Sequence, residues 1–273
     1  MISIIITTRN EQHNIGNLLK SILTQESTHI CNEIIIVDNF SNDKTKEISE
    51  IFKDARIKFY LKGGERSSQR NFGINSAIST YILYLDADMI LPNNFFVDLK
   101  KSLLRFNDIK AFYIKERIIG NSILSKTRNF ERFYYEGTPI DCVRVFTKDA
   151  FIDVKGFDES LCGPEDWDFN LKMNDKYQTK LLDIYINHNE AEKNIFKYLK
   201  SKLYYSHDFK KYKKKWSNHK YIQYQFSFLN RYLIIFFRSK KHTIFTFVNF
   251  FYYLIFVFYK FFVGIIYFYS KIK

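Results

Sequence analysis

Cysteine is scarce in this 273-residue chain, with only Cys31, Cys142 and Cys162. The count is odd and no two stand in a CxxC pair, so a structural zinc site and a disulfide framework are both excluded, and reduced thiols fit a cytoplasmic setting. A basic leader is absent: Met1 to Ile6 is apolar but too short for a signal peptide, and it runs straight into Thr7-Thr8-Arg9-Asn10-Glu11. Acidic residues are missing from the C-terminal third, where Asp208 is the one acid between residues 193 and 273. What is abundant is aromatic, at 19%, alongside a charged fraction of 26%, which together rule out a disordered chain. The length suits one large domain, or one domain with an appendage.

The net charge of +13 is therefore uneven. Residues 1–192 are near neutral, residues 193–241 form a strongly basic collar, and residues 242–273 form an aromatic tail in which fourteen residues are Phe or Tyr. Those three stretches are the expected domains. The tail is long enough as a helix to cross a bilayer. Yet Asn249 and Lys260 are three helical turns apart, with Thr246, Tyr253 and Tyr267 near the same stripe, which equally describes a helix lying in the interface. Lys210, Lys211, Lys213, Lys214 and Lys215, with Trp216 nearby, suit anionic lipid head groups. Such a patch also suits nucleic acid, but its place beside a membrane-seeking tail favours lipid. The collar then belongs on the cytoplasmic face of the cell membrane.

The first 192 residues alternate strand and helix patterns. Strand-like runs fall at 2–7, 33–38, 57–61, 81–86 and 180–186, and Ile15, Leu18, Leu19, Ile22 and Leu23 carry helical spacing. Unbroken apolar strands alternating with helices predict an α/β fold with a mostly parallel sheet covered on both faces. Ligands in such sheets bind at the carboxyl ends of strands. Three of those ends are polar: Thr7 to Glu11, Asp38 to Asp43, and Asp86-Ala87-Asp88. Positions i and i+2 of a strand point the same way, so Asp86 and Asp88 converge, and paired carboxylates suit a hard divalent cation.

The segment Gly63 to Gly73 has neither the P-loop Lys-Ser/Thr nor the dinucleotide GxGxxG. Its Arg66 and Arg70, four apart, share a helix face suited to a diphosphate. Glu165-Asp166-Trp167-Asp168 places more carboxylates at a helix start than capping needs, so one is a candidate general base. His188 follows a strand and is a plausible ligand beside a carboxylate pair.

In this order, Thr7 to Glu11, Val37 to Thr45, Gln69 to Gly73, Leu85 to Asp88, and Gly156 to Glu159 with Glu165-Asp166 resemble the family 2 glycosyltransferases of the GT-A fold, over about residues 1–190. The resemblance implies an inverting transferase using a nucleotide-diphosphate sugar and Mg²⁺ or Mn²⁺. It implies Thr7, Arg9, Glu11, Asp38, Arg70 and Asp86 as donor-nucleotide residues, and Asp88, His188 and Asp86 as metal ligands. Asp166 becomes the base, with Glu165 and Trp167 shaping the acceptor side. Thr7-Thr8 stands where the family often has Pro, and Lys172 where it often has Arg. With the tail, the implied acceptor is polyprenyl-linked or a glycan, in surface glycan or glycoprotein-glycan assembly. Two other classes stay open: a membrane-anchored nucleotide or glycan binder without activity, and a haloacid-dehalogenase-type phosphatase, whose Asp nucleophile also sits in a DxD after a strand.

Overall fold

Every residue of the first strand is buried, and its isoleucines serve two cores at once because successive side chains point to opposite faces. The computed structural model describes residues 1–190, 195–238 and 247–272. Its strands are β1 (Ile2–Thr8), β2 (Cys31–Asp38), β3 (Ile57–Leu61), β4 (Tyr81–Asp86), β5 (Met89–Ile90), β6 (Ala111–Ile119), β7 (Val145–Thr147) and β8 (Thr179–Asn189). The helices of the body are α1 (Ile15–Leu23), α2 (Thr45–Glu50), α3 (Arg66–Ser76), α4 (Phe95–Arg105), α5 (Ile123–Tyr135), α6 (Lys148–Asp153) and α7 (Glu165–Lys176). Beyond them come α8 (Ile195–Tyr205), α9 (Phe209–Lys215), α10 (Lys220–Phe226), α11 (Ile235–Arg238) and α12 (Phe247–Ile272).

The strands form one sheet in the order β3-β2-β1-β4-β7-β6-β8-β5. On one face, Ile2, Ile4 and Ile6 pack with α1 and α4 through Leu18, Leu19, Phe96 and Leu99. On the other, Ile5, Ile35 and Val37 pack with Ile74, Phe146 and Phe169. Helix α3 lies close to this second face because Gly73 has no side chain. A Cβ there would stand 2.7 Å from Ile5 Cγ2 and 3.0 Å from Val37 Cγ2.

The parallel expectation holds for β3-β2-β1-β4 and for β6-β8, but the sheet as a whole is mixed. Three-residue β7 runs antiparallel to both β4 and β6, and β5 runs antiparallel to β8. Strands of two or three residues are too short to leave a periodic signal. Residues 110–145, which carry no clear pattern in the sequence, supply β6 and α5. Strand order reverses between β1 and β4, where a cleft opens beyond their carboxyl ends.

The C-terminal helices share a core with the body. Phe130 and Tyr134 of α5 pack with Tyr198, Phe236, Phe256 and Tyr259. One expectation for the tail is corrected here. No helix among the described residues is long and apolar enough to cross a membrane. Helix α12 has 26 residues, but tyrosines and a lysine dilute its hydropathy. Within the stripe, Lys260 turns inward. Lys260 is buried, and its Nζ lies 2.5 Å from Glu131 Oε1 of α5, while Tyr259 donates a hydrogen bond to the same carboxylate. The opposite face, with Phe250, Phe251, Leu254, Phe258, Phe261, Phe262 and Ile265, is 40–67% exposed. The boundaries expected at 192/193 and 241/242, and Thr246, lie outside the described residues.

Candidate active site

Parallel pairing brings three polar strand ends level: Thr7 stands opposite Asp86, and Thr8 opposite Asp38. Beyond them is a cavity of about 370 Å³. Its floor and walls include Thr7, Thr8, Arg9, Glu11, Arg66, Asp86, Asp88 and His188. Helix α8 closes it with Tyr198, Ser201, Lys202 and Tyr205. So the collar contributes to the site as well as to the surface.

Not every expected donor residue reaches that cavity. Asp38 is buried and fully engaged: Thr8 Oγ1 donates to it at 2.7 Å, and the Ser41 amide and hydroxyl bind it at 2.7 and 2.6 Å. It ties the β1 and β2 ends together and is not among the residues lining the cavity. Arg70 also lies beneath it, wholly buried. Its Nη2 meets Asp86 at 2.9 Å, and its Nη1 meets Asp166 at 2.6 Å. The guanidinium sits over the rings of Tyr84 and Phe157, at 4.8 and 5.3 Å. Arg70 thus joins the end of β4 to the start of α7, while Arg66 of the same helix face reaches the cavity and binds Glu165 at 3.0 Å.

Asp86 is clamped from two sides, since Arg144 Nη1 holds its other oxygen at 3.2 Å. Burial alone would raise its carboxyl, but Arg144 and Arg70 hold it well below the ordinary value. Arg144 in turn binds Glu116 at 2.7 Å, and Glu116 binds Arg132 at 2.6 Å. Arg144, Glu116 and Arg132 were not foreseen, because they come from the stretch whose elements the sequence leaves unmarked.

Asp88 and His188 meet because β5 pairs with β8, with Met89 opposite His188. His188 Nε2 lies 3.0 Å from Asp88 Oδ2, and Nδ1 lies 3.6 Å from Glu116 Oε2. Burial disfavours the imidazolium, yet Asp88 and Glu116 beside it lift His188 to about 9. Among the described residues no group of three His, Cys, Asp or Glu side chains is arranged to hold a metal ion. Asp86, the third residue of the expected ligand set, is engaged by Arg70 and Arg144. The Asp88–His188 pair does fit a divalent cation that completes its shell with phosphate oxygens and water. Glu116 behind Nδ1 is the kind of partner that orients a ligating histidine. Binding would require His188 to release its proton.

Asp166 is partly exposed and opens into a second cavity of about 340 Å³. Trp167 lines that cavity too. Its Nε1 donates to Ile140 O at 2.9 Å, and its ring stacks on Phe209 with centroids 5.7 Å apart. Glu165 is buried behind them, its carboxyl raised by burial against the pull of Arg66. The loop before α7 fits tightly under α8: Gly163 has φ +102°, and a Cβ there would lie 2.1 Å from Tyr205 O. In the collar, Lys215 binds Asp158 and Asp168 at 2.6 Å, and Lys211 donates to Ser160 O. Lys210 and Lys214 face outward.

A family model described as Glycosyl transferase family 2 matches residues 3–154. An uncharacterised glycosyltransferase of Rickettsia conorii is 42% identical over 89 residues, 32% of this chain and 14% of that protein. The Escherichia coli UDP-Glc:alpha-D-GlcNAc-diphosphoundecaprenol beta-1,3-glucosyltransferase WfgD is 32% identical over 131 residues, 46% of this chain and 50% of that one. The chain thus spans half or less of the length of these two relatives. Among solved structures, Staphylococcus aureus TarS 1–349 in complex with UDP-GlcNAc superposes with a TM-score of 0.58 at 18% identity. That match covers 75% of this chain and 65% of the other, and it shows a shared GT-A fold. The phosphatase alternative has no counterpart in these matches.

Proposed function

The chain belongs to the family 2 glycosyltransferases, and from that premise we propose that it is an inverting enzyme moving a sugar from a nucleotide-diphosphate donor to a lipid-linked acceptor. The observation that carries this reading is the pair of cavities meeting at α8. One lies at the ends of β1 and β4 and is rich in carboxylates and arginines; the other receives Asp166; buried Arg70 ties the two together.

In this reading the donor occupies the first cavity, with Thr7, Arg9, Glu11 and Arg66 around it and Asp38 and Asp86 holding the strand ends in place. A cation held by Asp88 and His188 would offset charge on the departing diphosphate. Arg66 contributes a fixed positive charge of its own at that wall. Asp166 accepts the proton of the acceptor hydroxyl as the new glycosidic bond forms, and Arg70 fixes the direction of its carboxylate. Lipid linkage of the acceptor is supported by the exposed apolar face of α12 and by the outward lysines Lys210 and Lys214. The printed name of WfgD, a transferase acting on a diphosphoundecaprenol-linked sugar, points the same way. The site then works at the cytoplasmic face of the cell membrane, in surface glycan assembly.

The deciding experiment is thermal stabilisation by UDP, GDP, CDP and dTDP, each with and without Mn²⁺. Metal-dependent stabilisation by one of them is expected and names the base. A folded protein stabilised by none would favour the non-catalytic binder. For the base, Asp166→Asn should lower transfer by about 10²- to 10⁴-fold with nucleotide binding retained; full turnover in that variant would remove Asp166 from the role.

A further inference from the structure

The second cavity shares Arg128, Tyr198, Lys202 and Tyr205 with the first. Its lining holds five cationic side chains against two carboxylates, Glu131 and Asp166. Three of the cations are satisfied within the protein. Arg128 binds Glu190 at 2.5 Å, Arg132 binds Glu116 at 2.6 Å, and Lys260 binds Glu131 at 2.5 Å. The other two, Arg231 and Lys202, touch no carboxylate among the described residues.

Arg231 is held in place without being neutralised. Its Nη1 donates to Gln225 O at 3.2 Å and its Nη2 to Tyr135 Oη at 3.4 Å. Its guanidinium lies over the rings of Tyr135 and Trp167, at 5.3 and 5.8 Å. Lys202 Nζ sits 5.2 Å from the centre of the Tyr198 ring. Burial pushes the Lys202 ammonium well down, and Arg128 and Lys260 push it further. An anion arriving between these groups would pair with the Arg231 guanidinium and relieve the penalty on a protonated Lys202. The rest of the wall is apolar, with Ile140, Phe226, Phe256 and Val263, and at Gly264 an added Cβ would meet nothing within 4 Å. A neutral sugar would leave the Arg231 guanidinium without an anion and Lys202 without a reason to hold its proton; an anion on an apolar chain matches both parts of the wall.

We propose that Arg231 and Lys202 form an anion-holding pair beside Asp166, and that the acceptor carries a phosphate or diphosphate joined to an apolar chain. The proposal rests on the glycosyltransferase reading of the site, and it goes further by assigning the acceptor's charged group to two residues of the appended helices.

The test uses the full chain and three probes: farnesyl diphosphate below its micelle-forming concentration, farnesol, and inorganic pyrophosphate. Binding is followed by tryptophan fluorescence, since Trp167 lines the cavity. Farnesyl diphosphate should bind at least about tenfold more tightly than either of the others. Arg231→Gln and Lys202→Gln should each remove most of that preference, and Arg231→Lys should keep much of it. Nucleoside diphosphate stabilisation, read on the same samples, should be unchanged in Arg231→Gln, which does not line the donor cavity. Equal affinity for farnesol overturns the anion pair, and equal affinity for pyrophosphate overturns the apolar chain. If Lys202→Gln weakens nucleotide binding and leaves the farnesyl preference intact, the lysine belongs to the donor and the pair is wrong. Loss of nucleotide binding in the wild type, with the farnesyl preference present, would instead sink the donor reading and leave the pair standing.

Discussion

At the scale of single residues, Arg70 has the most exposed consequences. It is wholly buried and faces Asp86, Asp166 and, at 3.7 Å, Glu165. Replacing it by methionine would leave those carboxylates facing one another without their shared cation. The expected cost is about 3–5 kcal/mol of stability, measured by urea unfolding. A variant as stable as the wild type would mean that the carboxylates are neutralised by other means. The thiols give a pH-dependent prediction. Burial pushes Cys31 and Cys142 up to about 12, and Cys162 up to about 11. A raised value in the fold favours the protonated thiol. That contribution is complete below the ordinary thiol value and is lost as pH rises toward the folded one. At pH 8 the two buried thiols, Cys31 and Cys142, should resist iodoacetamide in the native protein and react once it is denatured, with half-buried Cys162 labelling ahead of them. Rapid labelling of native Cys31 or Cys142 at that pH would contradict their burial.

At the scale of elements, α3 and α8 do most to shape the site. Helix α3 delivers Arg66 to the cavity and Arg70 beneath it, and it can do so only because Gly73 lets it lie against β1 and β2. Gly73→Ala should overpack that contact. A loss of about 1–3 kcal/mol in chemical denaturation is expected, despite the gain in helix propensity. An alanine variant of unchanged or higher stability would show that the helix can move outward freely. Helix α8 forms a wall of both cavities, and the residues after it bear most of the excess charge. Read as a pattern, that charge indicates a surface. Lys202 and Arg231 instead turn inward, because aromatic rings of α5, α7 and α8 give their side chains somewhere to lie.

At the scale of the molecule, α12 packs Lys260 on α5 and leaves seven large apolar side chains outside. A bilayer surface with anionic lipid is the proposed partner of that face. Phe258→Asp with Phe261→Asp should abolish flotation with phosphatidylglycerol vesicles and leave thermal stability nearly unchanged, since both side chains are more than 60% exposed. Retained flotation would point to the lysines alone. The sequence by itself determined the α/β alternation, the first strands, the carboxyl-terminal strand ends and the family, because apolar periodicity and short ordered motifs are local signals. Asp86, Asp88, Asp166 and His188 stood out as candidates for the same reason, and the structure places them on the two cavities. Only the tertiary structure decided that Asp38 and Arg70 lie beneath the cavity, that β7 and β5 make the sheet mixed, and which way α12 faces. Those outcomes depend on which buried charge finds which partner. Arg144 with Asp86, and Lys260 with Glu131, are joined across 58 and 129 positions of chain, and no local pattern encodes a pairing made at that distance.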